Sequence, residues 1–129
     1  MAKAVRFDKY GGLDVLYIAD VEIPRPSPGE CVVAVRAAGI NPGEAGIRQG
    51  HMDAMFPATF PSGEGSDLAG TVSEAGEGVT SFAVGGEVLG WTDRRASHAE
   101  YVTVPEDHLI PKPGNLSWED AGSLFVVGT

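Results

Sequence analysis

The chain has 129 residues, enough for one domain with a core of its own and too few for two of ordinary size. Its 18 acidic and 9 basic side chains give a formal net charge of −9, which argues against nucleic acid and anionic membrane as partners, because both are polyanions. Hydrophobic residues make up 43%, a globular composition, and the one cysteine, Cys31, allows neither an internal disulfide nor a four-thiolate zinc site and fits a reducing compartment.

The N-terminal stretch MAKAVRFDKYGG turns polar at once, and no apolar run approaches the length of a bilayer span, so a soluble cytoplasmic domain is predicted. Ala4-Val5-Arg6-Phe7 opens a first β-type run. Residues 15–23 read as a second strand, stopped by Pro24-Arg25-Pro26-Ser27-Pro28-Gly29, a stiff turn that no helix could cross. Residues 30–38 make the clearest strand: Cys31, Val33, Val35 and Ala37 share one face, and Val32, Ala34 and Arg36 share the other.

Asn41 then starts a short helix. It is a good N-cap, Pro42 suits the first helical position, and Glu44 stands three residues after the cap, as in a capping box. Gly43 and Gly46 weaken that helix and Gly50 ends it. Strands follow at residues 68–74, 87–91 and 99–104, with a short one at 108–110. A second helix begins at Ser117, with Asp120 in the capping-box position and Ala121, Leu124 and Phe125 at helical spacing. The strands, separated by 18 Gly and 9 Pro, predict a small barrel or sandwich.

The chemistry-bearing residues are sparse. Cys31 reads as a small core residue, and His51, His98 and His108 as solvated surface histidines, because no pair has i,i+4 spacing or a C-x-x-C partner. Gly76-Glu77-Gly78-Val79-Thr80-Ser81 approaches G-x-G-x-x-G, but it lacks the third Gly and no helix follows, so it reads as a turn between strands. Ser62, Ser66, Ser97 and Ser123 sit in no nucleophile elbow. The loop Trp91-Thr92-Asp93-Arg94-Arg95 reads as polar and solvated, with arginines that could reach phosphates.

The order of motifs resembles the medium-chain dehydrogenase/reductases, and within them the zinc-independent quinone oxidoreductase branch. The likeness runs along the whole chain: Tyr10-Gly11-Gly12, Pro28-Gly29-Glu30, Val33 to Pro42, Phe56-Pro57, Gly65-Ser66-Asp67-Leu68-Ala69-Gly70, Ala99-Glu100-Tyr101-Val102 and Ile110-Pro111-Lys112-Pro113. The resemblance implies a mainly β, GroES-like, partly open β-barrel with short helices, without a Rossmann domain. Residues 1–116 would form that domain. Residues 117–129 would start a linking helix toward a nucleotide-binding domain that lies outside the chain.

Zinc-dependent relatives have Cys where Asn41 stands and Gly-His-Glu where Gly65-Ser66-Asp67 stands, so the resemblance implies no zinc. It implies hydride transfer from NADPH to a quinone or enone, with the acceptor oxygen polarised by hydrogen-bond donors. Asn41 would be the catalytic donor and, with Pro42 and Glu44, would contact the cofactor. Ile47 and Met52 would line the substrate pocket. The cap role of Asn41 and its contact role overlap, since its oxygen can cap while its amide points into the cleft. Glu44 stands where Asp is frequent, and Gly46 and Met52 replace aromatics of some relatives, which opens the acceptor pocket. By this reading the 129 residues alone are inactive, and the form is compatible with a homodimer. Two alternatives are an enoyl-reductase module of a larger synthase and a non-enzymatic GroES-like binding or assembly domain.

Overall fold

The computed structural model describes residues 2–40, 44, 47–50, 60, 62–92 and 95–123. Eight strands lie in this region: β1 (Ala2–Phe7), β2 (Tyr17–Val21), β3 (Glu30–Ala37), β4 (Ser62–Gly63), β5 (Asp67–Ala75), β6 (Glu87–Trp91), β7 (Tyr101–Pro105) and β8 (Leu109–Pro111). They form a three-stranded sheet of order β2-β1-β4 and a five-stranded sheet of order β7-β3-β5-β6-β8. Each of these pairings is antiparallel. The chain is mainly β, and among the described residues its two sheets do not close fully on one another, which gives the partly open barrel that the family resemblance implied.

One seam joins the sheets. Ala4 of β1 bridges Ala99, the Val5 amide donates to the His98 carbonyl at 2.9 Å, and the Glu100 amide donates to the Lys3 carbonyl at 2.9 Å. The pairing of β3 with β5 slips between Val32 and Val33 and again between Val35 and Ala37. Such bulges bend a strand and increase its twist, which lets the five-stranded sheet curl toward the smaller one.

Apolar residues lie on both faces of the large sheet. Cys31, Val33, Leu68, Val72, Val88, Val102, Val104 and Leu109 form the barrel interior, with Val35, Val79, Phe82 and Ala96 packed around them. Ala69 and Leu89 point the other way and meet Ala121 of the short helix α1 (Trp118–Gly122), flanked by Leu116 and Trp118. Fully burying an aliphatic side chain contributes about 1.5–3 kcal/mol, so burial on both sides holds β5 and β6 firmly. Cys31 is 0% exposed, as a core thiol should be. Burial, with Glu106 as a lesser contributor, raises its pKa above the usual thiol value.

Local chemistry explains the connections. Pro28 and Gly29 occupy the centre of a turn closed by the Glu30 amide donating to the Ser27 carbonyl at 3.0 Å, and Gly29 takes a φ of +80° that a β-carbon would oppose. Residues 77–78 form the turn expected in place of a nucleotide loop. Ser117 caps α1 as read from the sequence, its Oγ accepting from the Asp120 amide at 3.1 Å. Leu124 and Phe125 lie outside the described residues.

Several expectations need correction. The second strand begins at Tyr17, because Leu13–Val15 form a 3-10 turn instead of strand. Residues 106–108 form another such turn, so the last strand is Leu109–Pro111. Val32 is 1% exposed, so the start of β3 is buried on both faces. The Trp91–Arg95 loop is not simply polar and solvated: the Trp91 ring stacks on His108 with centroids 3.9 Å apart, and Thr92 is 1% exposed. Among the described residues no helix is long and apolar enough to cross a membrane.

Candidate functional site

Three chain segments meet where β3 ends. The first leaves β3 through Gly39 and continues to Glu44, Ile47 and Arg48, whose backbone is helical. The second is Glu64-Gly65-Ser66-Asp67, running from β4 into β5. The third is Ser97-His98, just before β7. Close approach requires glycine at the middle of the second segment. Gly65 has φ +100°, and a β-carbon there would lie 2.5 Å from His98 Cδ2 and would also strike Ser97 Oγ. The Ser97 amide donates to the Gly65 carbonyl at 3.3 Å and the His98 amide to the Glu64 carbonyl at 2.9 Å.

Charged side chains fill this junction. Arg48 Nη1 donates to Glu64 Oε1 at 2.8 Å, with the two side chains 8% and 10% exposed. Glu44 is equally buried, and its Oε2 accepts from the Ser66 amide at 3.3 Å. The His98 ring lies between the two carboxylates, with Nε2 at 3.9 Å from Glu44 Oε1 and Nδ1 at 3.9 Å from Glu64 Oε2. Nε2 also lies 2.9 Å from the Gly39 carbonyl oxygen. A carbonyl can only accept, so Nε2 carries the hydrogen of that bond.

Two of the five residues expected from sequence therefore come together. Glu44 and Ile47 line one small pocket with Phe7, Gly63, Glu64, Gly65, Ser66 and Arg95; its volume of about 10 Å³ is the room of a single water. Ser66, expected at the position of an imidazole zinc ligand, is on that pocket's wall. Asn41, Pro42 and Met52 lie outside the described residues. Ile40, immediately before Asn41, is 86% exposed. Among the described residues no three His, Cys, Asp or Glu side chains converge on a point that could hold a metal ion.

The sequence reading missed His98, Arg48 and Glu64. His98 was expected in solvent, yet its side chain is only 15% exposed. His108, likewise expected in solvent, is stacked on Trp91 and 20% exposed. His51 lies outside the described residues. One available signal was the i,i+4 spacing of Glu44 and Arg48, which puts both on one face of a helix.

Comparison with known proteins gives these contacts a setting. The alcohol dehydrogenase GroES-like domain family matches residues 27–114. Quinone oxidoreductase of Pseudomonas aeruginosa is 35% identical over 129 residues, and that of Mus musculus is 31% identical over 127. These matches cover 99% and 98% of this chain, but the chain spans only 38% of either relative. Among solved structures, a quinone oxidoreductase of Pseudomonas syringae superposes with a TM-score of 0.91 at 35% identity, over 99% of this chain and 38% of that one. An Escherichia coli quinone oxidoreductase complexed with NADPH gives 0.90 at 29% identity, over 98% and 38%. The CurK enoyl reductase, at 23% identity, shares the fold alone.

The chain belongs to the alcohol dehydrogenase GroES-like domain family. Within it, the chain is a domain of the quinone oxidoreductase branch of the medium-chain dehydrogenase/reductases.

Proposed function

We propose that this chain supplies the acceptor-side catalytic domain of an NADPH-dependent, zinc-independent oxidoreductase that reduces quinones or enones. In this reading residues 1–116 are the GroES-like domain and residues 117–129 lead toward a nucleotide-binding domain. The observation that carries it is the alignment of 99% of the chain with a quinone oxidoreductase, in a chain that brings Glu44, Ile47 and Ser66 to one junction.

The side chains present suit one end of the cofactor. Arg48 is already paired with Glu64 and so is not available to a phosphate. The nicotinamide end needs only hydrogen-bonding groups and an apolar surface; Ile40 is exposed, and Asn41 would supply the hydrogen-bonding group in this reading. When bound, NADPH supplies the hydride. Hydride arrival at a conjugated carbonyl leaves negative charge on its oxygen, and a donor aimed there lowers the barrier. Asn41 is that donor in our reading, with its side-chain oxygen free to cap the following helix while its amide nitrogen faces the acceptor. Pro42 shapes the start of that helix, and Ile47 and Met52 bound the acceptor. In this reading the GroES-like domain acts together with a nucleotide-binding domain.

The test uses the natural full-length protein and follows NADPH oxidation with a benzoquinone and with an open-chain enone. The reading expects turnover that is unaffected by chelators. It also expects Asn41→Asp, which keeps a capping oxygen but loses the amide donor, to reduce kcat about 100-fold while leaving stability near that of the parent. Absence of turnover with both acceptors, or dependence on a metal, overturns it.

A further inference from the structure

We propose that His98 is a positioning residue that fixes the Gly39-Ile40 turn, at the end of β3, by holding the Gly39 carbonyl. The proposal rests on the reading that the junction of Gly39, Glu44 and Ser66 lies on the acceptor side.

The turn after β3 has little side-chain packing to hold it in place. Ile40 is 86% exposed, so burial of its side chain contributes almost nothing to fixing the backbone there. Hydrogen bonds do the holding instead. The Gly39 amide donates to the Gly122 carbonyl at 2.9 Å, and the Gly39 carbonyl accepts from His98 Nε2 at 2.9 Å. The second bond fixes the plane of the peptide joining Gly39 to Ile40, one residue before Asn41. Without it that peptide loses the hydrogen bond that fixes its plane.

His98 is built to act as a fixed point. Its amide donates to the Glu64 carbonyl and its carbonyl accepts from the Val5 amide, both at 2.9 Å, which pins its backbone to two neighbouring segments. Its ring packs where Gly65 has no β-carbon. Glu44 and Glu64 face its two nitrogens at 3.9 Å, and each carboxylate is itself held, by the Ser66 amide and by Arg48. A ring confined in this way presents Nε2 in one direction. The bond spans 59 residues of sequence, so it links the segment before β7 to the segment proposed to meet the acceptor.

Two substitutions separate positioning from simple filling. His98→Phe keeps a ring but has no donor; His98→Gln keeps a side-chain N–H able to reach the Gly39 carbonyl. In the full-length protein His98→Phe is expected to lower kcat about 10- to 100-fold with the KM for NADPH nearly unchanged, as a misplacement of about 1 Å does, while His98→Gln recovers most of the rate. The carbonyl carbon resonance of Gly39 should shift in the Phe variant and stay close to wild type in the Gln variant. An unmoved Gly39 resonance in His98→Phe overturns the proposal. So does an equal loss of rate in both variants that follows a common loss of thermal stability. If the wild-type protein turns over neither quinones nor enones, the functional reading fails, and the Gly39 resonance still decides whether His98 positions the turn.

Discussion

Arg48 and Glu64 form a 2.8 Å ion pair in which neither side chain is more than 10% exposed. A pair in water is worth little, but removing one partner from a buried pair leaves a charge with no solvent to compensate it. The pair ties the helical segment to the link between β4 and β5, and on the other side the Arg48 carbonyl accepts from the Gly11 amide at 2.9 Å. Arg48→Met is therefore expected to cost about 3–5 kcal/mol, and Arg48→Met with Glu64→Gln less than the sum of the two single changes. Urea unfolding of the four proteins measures both numbers. A loss under about 1 kcal/mol would mean that water reaches the pair.

Gly65 and Gly78 both have left-handed backbones, at φ +100° and +83°, but only Gly65 is crowded. Around Gly78 nothing lies within 4 Å of where a β-carbon would stand. Gly78→Ala should cost about 1–2 kcal/mol from backbone conformation alone. Gly65→Ala adds a collision with Ser97 and His98, worth about another 1–3 kcal/mol for an overpacked site. Thermal denaturation of the two variants tests the ranking, which equal losses would contradict.

Ser117 makes the capping hydrogen bond of α1, so Ser117→Ala should cost about 1 kcal/mol and Ser117→Asp almost nothing. The effect should reach the sheet, because Ala121 packs on Ala69 and Leu89. Chemical denaturation supplies the free energies, and a neutral Ala variant would show that the helix is held by packing alone.

Cys31 gives a pH dependence with a definite direction. Its thiol is held above its ordinary pKa by burial, so folding favours the protonated form. Its contribution is whole below the pKa of the unfolded thiol and is lost as pH rises through the folded value, because the unfolded chain releases the proton first. Stability should fall in the alkaline range, and Cys31→Ala should remove part of that fall. Lys3, hydrogen-bonded to Asp20, and Tyr17, hydrogen-bonded to Asp8, are also raised and would account for some of the remainder. At neutral pH the folded protein should resist a thiol reagent that labels it readily in urea; fast labelling without denaturant would contradict a core thiol.

Much of this fold was legible from local pattern. Strands β3, β5 and β6 are dense in buried apolar residues, and the caps and turns at Pro28-Gly29 and Ser117 have chemistry that acts over a few residues. Strand β4 was not legible, because Ser62–Gly63 carries no apolar signal and is a strand only through its pairing with Arg6 and Phe7. The 3-10 turn at Leu13–Val15 was hidden inside an apolar run. In the site, Glu44 and Ile47 followed from the family resemblance, whereas His98 could not be recovered by spacing. Its partners come from three distant segments, and a lone histidine gives no hint of carboxylates brought to it by folding.

The contact between Gly39 and Gly122 has a mechanical consequence. The Gly39 amide bonds the Gly122 carbonyl, a β-carbon on Gly39 would stand 3.0 Å from Ser123 Cα, and one on Gly122 would stand 2.7 Å from the Ala37 side chain. Backbone lies close on backbone there, with only the short side chains of Ala37 and Asp67 beside the contact. A joint with so little padding passes displacement on instead of absorbing it. Any tilt of α1 must therefore move the turn at Gly39.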